Sequence, residues 1–409
     1  MPDEPDIDDM LQRGTMRKTR GQKVCIVLAL LLLPIGLGAV LMSCCWMRRP
    51  LPRVPVLPHA PDQLAMPATI KVALTGAEKH LSADARHGGT WYARDADRLS
   101  PLQIGTDGPW ELEAVADGLS VNGGVLSCSM VELRPAGDSF ELGGHAFRGS
   151  LLVTAGSGGT LRAHNLLPPE QYMRSVVGSE MYHSWPLNAL MAQAVCARTF
   201  VVYAVSTKGS LSRLDLAYKG IAGEGRAPDL AVELTRGIVL TYNGRILPAF
   251  FHSTCGGRTA PAAKIFGEDP IPPLEGVPCD WCRQSSTYTW KAELKAADVA
   301  KSLKLAGVRE IRTIEPQQTE PDGYARFVLI NGRERMDANA FRLRVGPGAV
   351  KSTKFQVQRR GDRFVFEGHG FGHGAGLCQW GAFGMADAGR DWQQILGHYY
   401  PGAELQSLY

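Results

Sequence analysis

Residues 168–205 constrain the fold more than any other stretch, because they are helical in pattern while most of the chain around them breaks into short strand-like runs. Pro168 and Pro169 followed by Glu170 and Gln171 form a helix start. Proline costs nothing at the first helical position, and acids favour the positive end of the helix dipole. The pattern predicts a first helix over 169–177. Gly178 then allows a backbone turn that a residue with a Cβ would resist. Ser184-Trp185-Pro186 opens a second helix, in which Leu187, Leu190, Met191, Ala194, Val195 and Val202 recur at helical spacing through 188–205. Glu180 is thereby set in the gap between two helices, beside Met181, Tyr182 and Trp185. A carboxyl shielded by such neighbours keeps its proton to higher pH, since desolvation penalises the charged form, and a general acid needs that property. The structural alternative is a cap on the second helix or an ion pair with Arg174 or Arg198.

Upstream, residues 1–23 are polar, acidic first and basic later, and read as a cytoplasmic tail. Residues 24–47 carry no charge, enough to cross a bilayer core of about 30 Å at about 1.5 Å per residue. The bases Arg13, Arg17, Lys18, Arg20 and Lys23 before this run outweigh Arg48, Arg49 and Arg53 after it, which predicts a single-pass anchor with the remainder of the chain outside the cell membrane. A cleaved leader is the competing reading. Leu41-Met42-Ser43-Cys44 resembles a lipoprotein cleavage box, although Met42 fits it poorly. Residues 48–67 are proline-rich and form an extended linker. From 68 to 146 the sequence predicts a β-rich region, with strands at 69–74, 102–104, 118–121, 124–128 and 139–142, and a further strand is predicted beyond it at 150–154. A second domain then follows over 147–405. The expected fold class is α+β, with a central helical pair inside a strand-rich frame. Charged residues are 21% of the chain and the net charge is +4, which argues against a nucleic-acid binder.

After the second helix, 237–242 and 245–251 predict a hairpin about Asn243-Gly244. Its end delivers His252-x2-Cys255, and Cys279-x2-Cys282 follows. Two such clips supply the four soft ligands of a closed, structural zinc site. A disulfide within this set is the alternative in an oxidising compartment, and His252 facing a substrate groove is a third. Cys128, Cys196 and Cys378 read as small buried hydrophobes. Further on, helices are predicted at 296–305 and 337–345, and strands at 310–314, 326–330, 354–358 and 363–367. The run Gly368-His369-Gly370-Phe371-Gly372-His373-Gly374-Ala375-Gly376 precedes a helix over 377–388. It lacks the βα context of a dinucleotide site, so its glycines more simply permit close backbone approach.

The segments Glu170-Gln171-Tyr172, Val176-Val177-Gly178-Ser179-Glu180-Met181 and Trp185-Pro186-Leu187 through Arg198-Thr199-Phe200 resemble the signature of the stage II sporulation protein D and amidase-enhancer family. Gly372-His373-Gly374-Ala375-Gly376-Leu377-Cys378-Gln379-Trp380-Gly381-Ala382 and His398-Tyr399-Tyr400-Pro401-Gly402 are similar to its C-terminal motif. Cys196 and Cys378 stand where the family usually has alanine and serine. The resemblance implies lytic transglycosylase activity on peptidoglycan glycan strands stripped of stem peptides by a cell-wall amidase, with the catalytic acid at Glu180. It also implies zinc ligation through His252 and Cys255, with Cys279 and Cys282 as plausible partners. Arg198, Tyr203, His373 and Gln379 are candidates for positioning substrate. In the implied reaction an internal sugar hydroxyl is the nucleophile, so one carboxyl suffices where a glycoside hydrolase uses two acids roughly 5 to 9.5 Å apart. A non-catalytic wall-binding amidase enhancer and a muramidase are the alternatives.

Overall fold

Short strands, many with alternating burial, are the commonest elements of the described protein. The computed structural model describes residues 66–95, 98–116, 118–212, 215–267, 269–305, 310–318 and 321–409. The expected tail, anchor and nearly all of the linker lie outside these residues. The chain divides into Met1–Arg53 and Val54–Tyr409, and the described residues belong to the second unit.

Two six-stranded antiparallel sheets form its first part. One runs in the order Ile70–Ala73, Thr160–Leu167, Ser150–Gly156, Met130–Pro135, Gly89–Asp95, Arg98–Pro101. The other runs His145–Arg148, Ser139–Leu142, His80–Asp84, Trp110–Val115, Gly118–Val121, Gly124–Leu126. Every second residue of these strands points inward, and the shared core includes Leu112, Val131, Leu133, Leu151, Val153 and Leu161. Trp91 and Trp110 meet edge to face at 5.8 Å within it. The boundary expected at 146/147 therefore falls inside this β-structure, which continues to Leu167.

Helices take over at Pro169. α1 (Pro169–Glu180) starts on the proline as expected but runs past Gly178, which is helical and not a turn. A Cβ on Gly178 would collide with the carbonyl oxygen of Gly223. The missing side chain serves close approach of a neighbouring loop, a need that looks the same in sequence as a need for a turn. α2 (Leu187–Lys208) is buried continuously from Ala189 to Thr199. It is long and apolar enough to cross a membrane, yet 83% of its most apolar window is buried inside the protein, so it is the central core helix. α3 (Arg226–Leu234) packs beside it.

Asn243 and Gly244, with φ of 51° and 70°, make the predicted turn between Ile238–Tyr242 and Arg245–Ile246. The C-terminal strand Glu404–Ser407 pairs on the other side of Ile238–Tyr242. Past the turn the chain does not stay in that hairpin. Phe251–His252 instead pairs in parallel with Leu377–Cys378, and α4 (Ala262–Phe266) follows.

Between these two short strands the chain builds a separate module. One antiparallel sheet holds Thr289–Lys295, Arg363–His369 and Phe355–Arg360, and another holds Ile314–Gln318, Ala325–Ile330 and Glu334–Asp337. With α5 (Ala296–Leu303) and α6 (Ala338–Val345, capped by Asp337) they enclose a core that includes Phe341, Phe355, Phe364 and Phe366. The strand expected at 310–314 begins only at Ile314. Two helices close the domain: α7 (Gln379–Asp387) and α8 (Trp392–Tyr399), the latter with a capping box from Asp391 and Gln394. The result is a mixed, strand-rich α+β fold with helices at its centre.

Candidate functional site: a clamped carboxyl beside a four-cysteine cluster

Glu180 is the last residue of α1, and its half-buried carboxyl is gripped from two sides. The loop after α2 approaches the end of α1 closely because Gly178 and Gly223 face each other without side chains. In that position the Ala217 backbone N–H donates to Oε1 at 2.8 Å. From the other side Gln379, the buried first residue of α7, donates its amide Nε2 to Oε2 at 3.3 Å. Burial raises the pKa of Glu180, and the two donors, which favour the ionised form, offset part of that rise. The group keeps a proton into a higher pH range than an ordinary carboxyl and is held in one orientation.

The other expected positioning residues have partners elsewhere. Arg198 is fully buried and makes a two-pronged pair with Glu170, Nε to Oε1 and Nη2 to Oε2, both 2.8 Å. Its guanidinium also donates to the carbonyls of Ile238 and Val232, each at 3.2 Å. With its charge and donors engaged in the core, Arg198 fixes α2 to α1. Tyr203 lies on α2 with its ring 6.4 Å from Phe200. His373 sits among Phe250, Phe266 and His252, its Nδ1 accepting from the Ala375 N–H at 3.1 Å. Burial pushes its pKa down to about 3, so it is neutral at physiological pH.

The sulfur cluster differs from the expected ligand set by one member. Cys255, Cys279, Cys282 and Cys378 are all buried, with Sγ atoms within 4.8 Å of one another, and no disulfide joins them. A tetrahedral zinc with bonds of about 2.3 Å to sulfur would set its ligands about 3.8 Å apart, and the Cys255 and Cys282 sulfurs are 3.5 Å apart. Backbone N–H groups of Cys255 and Gly381 both point at the Cys378 sulfur at 3.3 Å, an arrangement that suits a thiolate. The four thiols therefore fit a tetrathiolate metal centre.

His252 is outside this set. Its Nδ1 lies 3.1 Å from the Ala375 carbonyl oxygen, so the proton sits there, and burial holds its pKa down to about 4. The parallel pairing of His252 with Cys378 puts the cysteine where the histidine was expected to ligate. Sequence reasoning set Cys378 aside as a hydrophobe. The missed signal was arithmetic: a fourth cysteine completes a closed set of one ligand type. The Ala217 donor was also missed, and a backbone N–H leaves no trace in residue identity.

Parts of the chain are similar to known proteins. The profile of a family described as Stage II sporulation protein, SpoIID, matches residues 157–242, which hold α1, α2 and α3. An uncharacterized protein of Brachyspira hyodysenteriae is 31% identical over 277 residues, covering 66% of this chain and 74% of its own. Stage II sporulation protein D of Bacillus subtilis is 31% identical over 262 residues, covering 58% of this chain and 74% of its own. An amidase enhancer of Bacillus subtilis is 26% identical over 285 residues, covering 58% of this chain and 40% of its own. By the identity and extent of these matches, the chain belongs to the stage II sporulation protein D family.

Proposed function

We propose that the protein is a membrane-anchored lytic transglycosylase that cuts the N-acetylmuramic acid to N-acetylglucosamine bond of peptidoglycan glycan strands, with Glu180 as acid and then base. One observation carries this reading. A single half-buried carboxyl, raised in pKa by burial, is oriented by two neutral donors, Ala217 N–H and the Gln379 amide. Protonated Glu180 gives its proton to the bridging oxygen as the bond from that oxygen to the muramyl anomeric carbon breaks through an oxocarbenium-like state. The carboxylate that remains takes the proton of the muramyl 6-hydroxyl, whose oxygen bonds to the same carbon. The products are a free N-acetylglucosamine 4-hydroxyl and a 1,6-anhydro ring, with no water consumed. Gln379 holds the carboxyl in line for both transfers.

Cys255, Cys279, Cys282 and Cys378 would hold a structural zinc. Four protein ligands leave no open position, so its contribution is to tie loops together. The uncharged run over 24–47 supports anchoring in the cell membrane with the domain outside the cytoplasm. The relative named amidase enhancer favours a second reading, in which the protein binds the wall and assists an amidase without cutting glycan. Mass spectrometry of denuded strands incubated with the protein separates the two. Anhydromuramyl ends that vanish in Glu180→Gln support the enzyme, intact strands support the enhancer, and reducing ends indicate a muramidase.

A further inference from the structure

Four aromatic rings lie on the two chain segments that carry Glu180 and Gln379, and they have no part in the reaction just described. Tyr182 and Trp185 lie in the connection between α1 and α2, their rings 5.4 Å apart. Trp380 and Phe383 project from α7 one turn apart, at 5.6 Å from each other. Trp185 joins the pairs, at 5.0 Å from Trp380 and 5.0 Å from Phe383. None of the four is fully buried, and Tyr182 is 48% exposed. The same two segments clamp the acid: Glu180 precedes Tyr182 by two residues and Gln379 immediately precedes Trp380. The hydrogen bond from Gln379 to Glu180 thereby joins the two ring-bearing segments at the carboxyl.

We propose that Tyr182, Trp185, Trp380 and Phe383 form a platform on which an N-acetylhexosamine ring of a glycan chain stacks, setting the register of the strand over Glu180. This rests on the reading of Glu180 as an acid acting on glycan. A pyranose ring presents a face of C–H bonds to the negative face of an aromatic ring while its hydroxyl and acetamido groups remain in water. Tyrosine and tryptophan suit a ligand that is apolar on one face and wet at its edges. Trp185 matters as well, because it packs at interplanar angles of 66° against Trp380 and 46° against Phe383 and so joins in one cluster rings that are far apart in sequence.

The test measures binding of the N-acetylglucosamine tetramer to the full-length protein by calorimetry, in a Glu180→Gln background so that nothing is turned over. Tyr182→Ala is expected to weaken the tetramer about tenfold, as truncation of an aromatic contact at a binding centre commonly does, and Tyr182→Phe to retain affinity. Trp380→Leu is expected to weaken it as well. Unchanged affinity in Tyr182→Ala overturns the proposal, and so does a tetramer that fails to bind the Glu180→Gln protein. If the rings bind tetramer while unmodified protein leaves strands uncut, the platform stands and the acid reading falls. If strands are cut while Tyr182→Ala binds tetramer as tightly as its parent, the acid reading stands and the platform falls.

Discussion

At the scale of single residues, the balance at Glu180 is between burial, which raises its pKa, and two donors, which lower it. The acid form is present below that pKa and is lost as pH rises through it. The falling limb of kcat/KM against pH is therefore expected above the ordinary carboxyl range. Gln379→Leu removes a donor that favours the anion, and should move the limb further up. The same shift has a stability counterpart. A carboxyl whose pKa is raised by folding costs stability as pH rises from its unfolded value through its folded one. Glu180→Gln removes that cost, so at neutral pH the inactive variant should melt no lower than the parent. Arg198 behaves in the opposite way. Removing one partner of a buried, hydrogen-bonded pair typically costs about 3 to 5 kcal/mol, so Arg198→Ala should lower unfolding free energy by that order in a denaturant titration. Its loss of activity should then follow its loss of folded protein. Glu180 and Gln379 were both singled out in the sequence, and the structure brings them into hydrogen-bond contact. The pairing of Arg198 with Glu170 was not legible, because an arginine in an apolar helix pattern reads alike whether it faces a ligand or a buried carboxylate.

At the scale of elements, helices announced themselves and strands did so unevenly. α2 differs from its expected span by one residue at its start and three at its end, since a helix buried on all sides leaves an unbroken apolar record. His80–Asp84 and Trp110–Val115 were not anticipated. Each buries only alternate residues, in short runs mixed with acids, so little apolar signal accumulates. The sulfur cluster was half legible, because three ligands sit in two close clips and Cys378 comes from a strand paired with His252 across the chain. Metal content gives the check. Cys378→Ser is expected to lose zinc, measured by elemental analysis of the purified protein, and His252→Ala to retain it. A reversed result would return the ligand role to the histidine.

At the scale of the whole described molecule, three large cores stand beside a small cluster of Val202, Val239 and Leu408: the paired six-stranded sheets, the helical centre around α2, and the module between Thr289 and His369. Composition foretold the mixture, with glycine and proline breaking strands around one apolar helix, but not the boundaries. The β-structure runs on to Leu167 because Ser150–Gly156 and Thr160–Leu167 complete the sheet begun by Ile70–Ala73, a pairing between residues about ninety positions apart in sequence. Denuded glycan chains are expected to protect the 215–225 loop and α7 from amide hydrogen exchange, and to leave the Thr289–His369 module unprotected. Mass spectrometry of Glu180→Gln with and without strands checks this.

The module's two ends have a consequence of their own. The polypeptide departs just after Cys282 and comes back at Cys378, and both sulfurs belong to one cluster. Thr289 and His369 lie side by side as it leaves and returns. Such a pinched neck makes the intervening stretch an appendage hung from a fixed hook. Lineages could enlarge, trim or exchange it while the residues that grip the carboxyl kept their places.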